Sequence, residues 1–352
     1  MTINLADDVR LLGPYGLRVS PLTLGTMTFG DGGWRAGEGN ARAVFTAYLE
    51  AGGNSVDTAD VYGGGRAEEL LGQFMADTRS REQLVVATKA SAPSGAGPNE
   101  GGNGRKHLLA AVEGSLRRLH TDYVDVLWLH LWDGVTPVAD VMATLAQIVA
   151  DGKARAVGLS NVPAWYATAA CALADRHGWA APVGVQLEYS LLERTAETEH
   201  VPAAQHCGMS LVPWSPLANG FLTGKYPPPA ETTAAEQHAG GGRLAPAAGY
   251  PDQRTHTDRD WAVPAAVRQR SDHPRVQPRP DRAGLDPAPT RRRHHPHRRH
   301  QHRATPRQPG RRSTHAAGRR PARSRQRQPP ARRLAVPAVP HGSGLSARTP
   351  QP

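Results

Sequence analysis

The chain has 352 residues, ample for one large α/β domain. Its two cysteines, Cys171 and Cys207, are too few for a disulfide framework and suit a reducing, cytoplasmic setting. The N-terminal Met1-Thr-Ile-Asn-Leu-Ala-Asp-Asp has no basic-then-apolar leader pattern, and no apolar run approaches the roughly 20 residues of a membrane span.

The net charge of +11 averages two unlike parts. Beyond Val267 lie 22 of the 42 basic residues and three of the 31 acidic ones, so that segment is near +19 and residues 1–267 are near −8.

Residues 10–19 read as a hairpin about a Gly/Pro turn. Pro21 to Gly30 reads as a first buried strand, and Ala41 to Ala51 as a helix with Val44, Tyr48 and Leu49 on one side. A second strand ends in Ser55-Val-Asp-Thr-Ala-Asp-Val-Tyr62, followed by Gly63, Gly64 and Gly65. The alternation then repeats. Helices are expected over 67–75, 107–119, 138–150, from Pro163, and over 197–206, where Gly208 can cap the end. Strands are expected over 84–88, 124–129, 154–159, 183–187 and 210–214. Residues 91–104 and 218–260 read as loops, and Trp261 to Val267 as the start of another helix.

Seven strand-then-helix units over roughly 215 residues argue for parallel strands with helices outside. They fit a TIM-type (β/α)8 barrel better than a doubly wound sheet, with the eighth strand and final helices not recognisable. Residues 1–267 form this barrel domain. Residues 268–352 lack Phe, Tyr, Trp, Ile, Met, Lys, Asn, Glu and Cys; on composition they cannot bury a core and read as disordered.

Three successive apolar runs end in titratable residues: Asp57, with Tyr62 on the loop after it, then Lys89 and His130. In a parallel barrel those ends converge on the face where such enzymes place their chemistry. A phenol is a poor acid at neutral pH, with a free pKa of about 10. A neighbouring ammonium favours the phenolate. Lys89 supplies that charge, Asp57 holds Lys89, and His130 orients the substrate oxygen or shares its proton. Together they make a tuned general acid for a carbonyl that accepts a hydride.

Asp57-Thr-Ala-Asp-Val-Tyr-Gly with Glu69-Leu-Leu-Gly72 resembles the signature of the aldo-keto reductases. Ala87-Thr-Lys89, Leu129-His130-Leu-Trp-Asp133, Gly158-Leu-Ser-Asn161, Gln186, Pro213-Trp-Ser-Pro-Leu217 and Gly220-Phe-Leu-Thr-Gly-Lys-Tyr226 follow in the family's order and spacing. The resemblance covers residues 10–267 and implies a (β/α)8 barrel that reduces a small aldehyde or ketone. It implies NADPH as cofactor, with NADH as the alternative, and no metal. Tyr62 would be the general acid, Lys89 and Asp57 its tuning pair, and His130 the substrate orienter. Ser160, Asn161 and Gln186 would bond the nicotinamide carboxamide and Trp214 stack on its ring. Ser215, Leu217 and Gly220 would lie along the pyrophosphate.

Nothing after Val267 resembles the family's glycine-led adenosine phosphate segment. Arg, Pro, Ala, Gly and His are what a GC-rich gene yields out of frame, so the leading expectation is a frameshifted translation from about residue 268. The rivals are a weakened or inactive relative and a nucleic-acid-binding arm, since clustered arginine neutralises phosphates. Against the arm, the segment has no aromatic residue to stack on bases. The histidines at 294–302 match no structural metal-site spacing.

Overall fold

The computed structural model describes residues 4–33, 35–226 and 258–271, all within one compact unit, Met1–Arg292. A hairpin of β1 (Arg10–Leu12) and β2 (Leu17–Val19) comes first. Seven parallel strands follow in chain order: β3 (Leu24–Gly25), β4 (Ser55–Asp57), β5 (Val85–Ala90), β6 (Val124–Leu129), β7 (Ala154–Ser160), β8 (Gly184–Glu188) and β9 (Ser210–Trp214). Between them run α1 (Gly37–Glu50), α2 (Arg66–Thr78), α3 (Arg105–Leu119), α4 (Val138–Ala150), α5 (Ala164–His177) and α6 (His200–Cys207), and α7 (Asp258–Ser271) comes last. This is the curled sheet of a (β/α)8 barrel, incomplete among the described residues, where β3 and β9 are its two edges.

Several boundaries differ from those expected. The first strand shrinks from ten residues to Leu24–Gly25, because Thr26 N–H already bonds Asp57 O at 2.9 Å and Phe29 N–H turns back to Thr26 O at 2.8 Å. Helix α1 starts at Gly37, four residues early, and buries only Ala41 and Phe45. The helix expected from 197 begins at His200, after a 3₁₀ turn over Thr195–Glu197. The loop expected over 218–260 opens with 3₁₀ geometry at Ala218–Thr223, and α7 starts before its end and runs past Val267 to Ser271. Residues 227–257 of that loop, and the segment from 272 onward, lie outside the described residues. Gly208 does cap α6, in the left-handed conformation that glycine adopts without strain (φ 69°).

Two apolar layers follow from the period of two along each strand. Val86, Leu127, Leu129, Val157, Leu159, Val185 and Leu187 point outward against helices such as α4, which buries Val141, Met142, Leu145 and Ile148. Ala87, Val126, Trp128 and Ala156 point inward, and Leu12, Leu17 and Val19 of the hairpin pack on them from the N-terminal end. The Gly13 amide fastens this plug by donating to Ser210 Oγ at 2.9 Å.

Trp128 fills the middle of the barrel, and its neighbours explain how an indole fits there. A Cβ on Gly158 would lie 2.2 Å from the Trp128 ring, and one on Gly184 would lie 3.5 Å from it. Each is paired by register into the same interior, Gly158 directly opposite Trp128. Gly158→Ala therefore overpacks the interior and should lower stability by about 1–3 kcal/mol in urea denaturation. An unchanged midpoint would show that the indole has room to retreat.

Candidate active site

The inward period that places Trp128 also builds the site one layer above it. Asp57, Lys89, Ser160, Gln186 and Trp214 occupy inward positions at the C-terminal ends of β4, β5, β7, β8 and β9, and His130 is the residue after β6. Tyr62 is brought to them by the loop after β4, where Gly63 and Gly64 take left-handed conformations (φ 62° and 67°) before α2 begins. The four residues expected to carry the chemistry thus come from three adjacent strands and one short loop.

Lys89 is 1% exposed and donates to three acceptors. Its ammonium bonds Asp57 Oδ2, Thr58 O at 2.9 Å and Tyr62 Oη at 3.0 Å, which accounts for all three N–H donors. Burial alone would push this group down, but the Asp57 carboxylate and Tyr62 beside it hold it above the ordinary lysine value, so it stays charged. Asp57 is held in turn, because Gln186 Nε2 donates to its Oδ1 at 3.1 Å. Since Lys89 donates to the phenol oxygen, the Tyr62 proton is not used in that bond.

His130 stands edge-on to Tyr62, with ring centroids 6.0 Å apart and an interplanar angle of 81°. Its backbone N–H is fixed by Ala90 O at 2.9 Å and Ser91 Oγ at 3.1 Å, and among the described residues its Nδ1 has no hydrogen-bond partner. Burial, reinforced by the Lys89 charge, lowers its pKa to about 3. The ring is therefore neutral at physiological pH, able to donate one N–H and accept at the other nitrogen.

The remaining predicted residues fall into one network and one strained turn. Asn161 takes a left-handed backbone (φ 50°) and donates from Nδ2 to Ser160 Oγ and to His130 O, both at 3.0 Å. Trp214 Nε1 donates to Asn161 Oδ1 at 3.1 Å, which pins the edge of the indole. Ser215, Ala218, Asn219 and Gly220 all have positive φ, and Ser215 Oγ meets Asn219 Oδ1 at 3.3 Å. Three non-glycine residues in that conformation within five positions is a concentration of strain of the kind found where backbone is shaped around a ligand. Leu217, part of the same turn, is partly exposed. This set of buried hydroxyl, side-chain amides and a pinned indole suits a flat ring bearing a carboxamide. Gln186 differs from expectation in having its Nε2 already engaged by Asp57.

Sequence reasoning missed a second polar cluster behind the first. Glu68 on α2 is fully buried, accepting from Thr88 Oγ1 and, at 2.7 Å, from Arg118 Nε. Asp60 lies beside it, 5% exposed. A glutamate in a first helical turn reads as a solvated charge favoured by the helix dipole, and its arginine is 50 residues away.

The aldo/keto reductase family model matches residues 21–259. A rice protein (Oryza sativa subsp. japonica) described as "Probable voltage-gated potassium channel subunit beta" is 41% identical over 217 residues, 61% of this chain and 65% of that protein. An aryl-alcohol dehydrogenase from Pestalotiopsis microspora is 38% identical over 230 residues, 62% of this chain and 60% of the other. A norsolorinic acid reductase from Emericella nidulans is 39% identical over 223 residues, with 60% and 57% covered. The chain belongs to the aldo/keto reductase family, in which NAD(P)H is the general cofactor. It spans under two thirds of the length of these relatives.

Two outcomes follow from the geometry. Asp57→Ala strands a buried ammonium and should cost about 3–5 kcal/mol of stability, part of which returns in the double variant with Lys89→Met. Additive single and double losses in urea denaturation would show that the pair is not coupled. For His130, a native pKa below the unfolded value means that stability is lost as pH falls from about 6.5 towards 3. Its ring nitrogens should stay neutral by NMR at pH 5, where an exposed imidazole is charged; a charged His130 there contradicts the burial argument.

Proposed function

We propose that this chain reduces an aldehyde or ketone to the alcohol with Tyr62 as general acid and NADPH as hydride donor. The observation that carries the reading is the buried Lys89 ammonium, shared among Asp57, Thr58 O and Tyr62 Oη. When bound, the nicotinamide supplies the hydride that forms the new C–H bond at the carbonyl carbon. Ser160, Asn161, Gln186 and Trp214 would hold that ring, and Ser215, Leu217 and Gly220 the adjoining phosphates. The choice of NADPH over NADH follows the family resemblance.

The protein's own residues manage the oxygen. Tyr62 gives its proton to the carbonyl oxygen as negative charge develops there. The phenol oxygen then carries charge 3.0 Å from the Lys89 ammonium, which already donates to it and needs no reorganisation. Asp57, steadied by Gln186, keeps Lys89 charged and aimed. His130, neutral and edge-on to Tyr62, offers an N–H to the same substrate oxygen. In this reading residues 1–267 are the working domain, residues 268–352 are a separate segment, and the two unpaired cysteines fit a reducing cytoplasm. Among the described residues no helix is long and apolar enough to cross a membrane.

Tyr62→Phe keeps the ring and removes the acid. Loss of NADPH absorbance with a simple aldehyde should slow by at least about a hundredfold, with cofactor affinity by fluorescence titration nearly unchanged. Wild-type kcat in the Phe variant would rule out Tyr62 as the acid.

A further inference from the structure

The loop that carries Asp57 and Tyr62 also carries a third polar side chain, Asp60, for which the mechanism has no use. Its carboxyl group is turned into the protein at 5% exposure. Neither oxygen has a hydrogen-bond partner among the described residues, and the one backbone amide acting on the carboxyl, that of Val61, offsets only part of the cost of burial. Its own backbone N–H is tied to Lys89 O at 3.2 Å, which anchors its main chain beside the site.

The charged groups facing Asp60 are Glu68 from α2, Arg118 from α3 and Lys89 from β5. Neither cation bonds Asp60. Lys89 has its three donors on Asp57, Thr58 and Tyr62. Arg118 gives Nε to Glu68 and reaches Ser115 Oγ at 3.4 Å. Glu68 is itself a charged neighbour of like sign. A carboxylate here would be a buried charge with no partner of its own, beside another carboxylate, and the protonated form avoids both costs.

We propose that Asp60 is a buried neutral acid and a positioning residue for the Tyr62 proton transfer, whose ionisation opposes negative charge on Tyr62 Oη. The second half rests on the reductase reading above; the first does not. Burial, then Glu68, raises the Asp60 pKa from the usual carboxylate value to about 7. The proton that leaves goes to solvent, and the charge it uncovers interacts with the Lys89 ammonium, which donates to Tyr62 Oη. Carbonyl reduction should therefore weaken as pH rises through neutrality.

The stability sign is set by the same shift. The unfolded chain ionises Asp60 near pH 4, while the folded chain holds the proton to about 7. The contribution is thus fully present below pH 4 and is lost as pH rises to about 7. His130 acts in the opposite direction over an overlapping range, so a difference between proteins is needed to isolate Asp60.

The test compares full-length wild type with Asp60→Asn, which copies the neutral acid in shape. Thermal midpoints should agree at about pH 3.5, below the unfolded value, and at pH 8 the variant should melt higher by roughly 5–10 °C. An equal loss at both pH values would show that the carboxylate is ionised and partnered, and would overturn the proposal. The second arm is the ratio of kcat/KM for a simple aldehyde at pH 8.5 to that at pH 6. It should be lower in wild type than in the variant by roughly three- to tenfold. Equal ratios with the thermal result intact would confine Asp60 to stability and remove its positioning role. A wild type with no reductase activity would defeat the functional reading, and the thermal arm alone would then decide the neutral acid.

Discussion

One buried cation organises this molecule. An ammonium withdrawn from water costs several kcal/mol unless acceptors surround it, and Lys89 at 1% exposure has one for each N–H. All three come from Asp57 to Tyr62, so β4, its following loop and β5 must keep a single register, with Asp57 opposite Ala87 and Lys89 two residues beyond. A slip of one residue would turn Lys89 towards the helices and leave Asp57 facing an apolar wall. Below it, Trp128 closes the interior, and the indole leaves no space for a side chain at Gly158, as the Ser210 carbonyl leaves none at Gly184. The strand ends, the plug and the reacting groups answer to the same requirement.

The other ionic groups in this region obey the rule that buried charge must be paired or discharged. Asp57 has Lys89 and Gln186; Glu68 has Arg118 and Thr88. His130 meets the rule by losing its charge, with burial and the nearby ammonium both favouring the neutral ring. The result is a site with one committed cation and, edge-on to Tyr62, a neutral hydrogen-bonding ring.

Much of this was legible in the chain before any coordinates. Runs such as Val124–Leu129 and Leu84–Lys89 are short, apolar and flanked by polar turns, which is why β5, β6 and β7 lie close to their expected spans. Asp57, Tyr62, Lys89 and His130 stood out because titratable residues at the ends of buried strands have few bland uses. The first strand misled because its apolar pattern continues to Phe29 while its backbone partner, β4, offers only three residues. Helix α1 began early because glycine and asparagine carry no helical signal, although the chain continues smoothly through them. Contacts between distant segments were invisible for a plainer reason. Glu68 with Arg118, and Trp128 with Gly158, are meaningful only as pairs, and local periodicity describes neither partner's choice.

The six positions from Asp57 to Tyr62 carry a consequence for how such a protein can change over time. They supply all three oxygen acceptors of the Lys89 ammonium and a buried carboxyl group, so one insertion or deletion there disturbs the whole polar cluster together. The rim segments at 91–104 and 131–137 belong to other strands and are held by their own bonds, such as Asn103 N–H to Asp133 at 2.8 Å and Asn103 Nδ2–H to Leu131 O at 3.0 Å. Substitutions there can redraw what fits above the site without reaching the Lys89 cluster. The molecule is divided into a part whose bonds are local and a part whose bonds are shared, and the boundary between them runs along the tips of the strands.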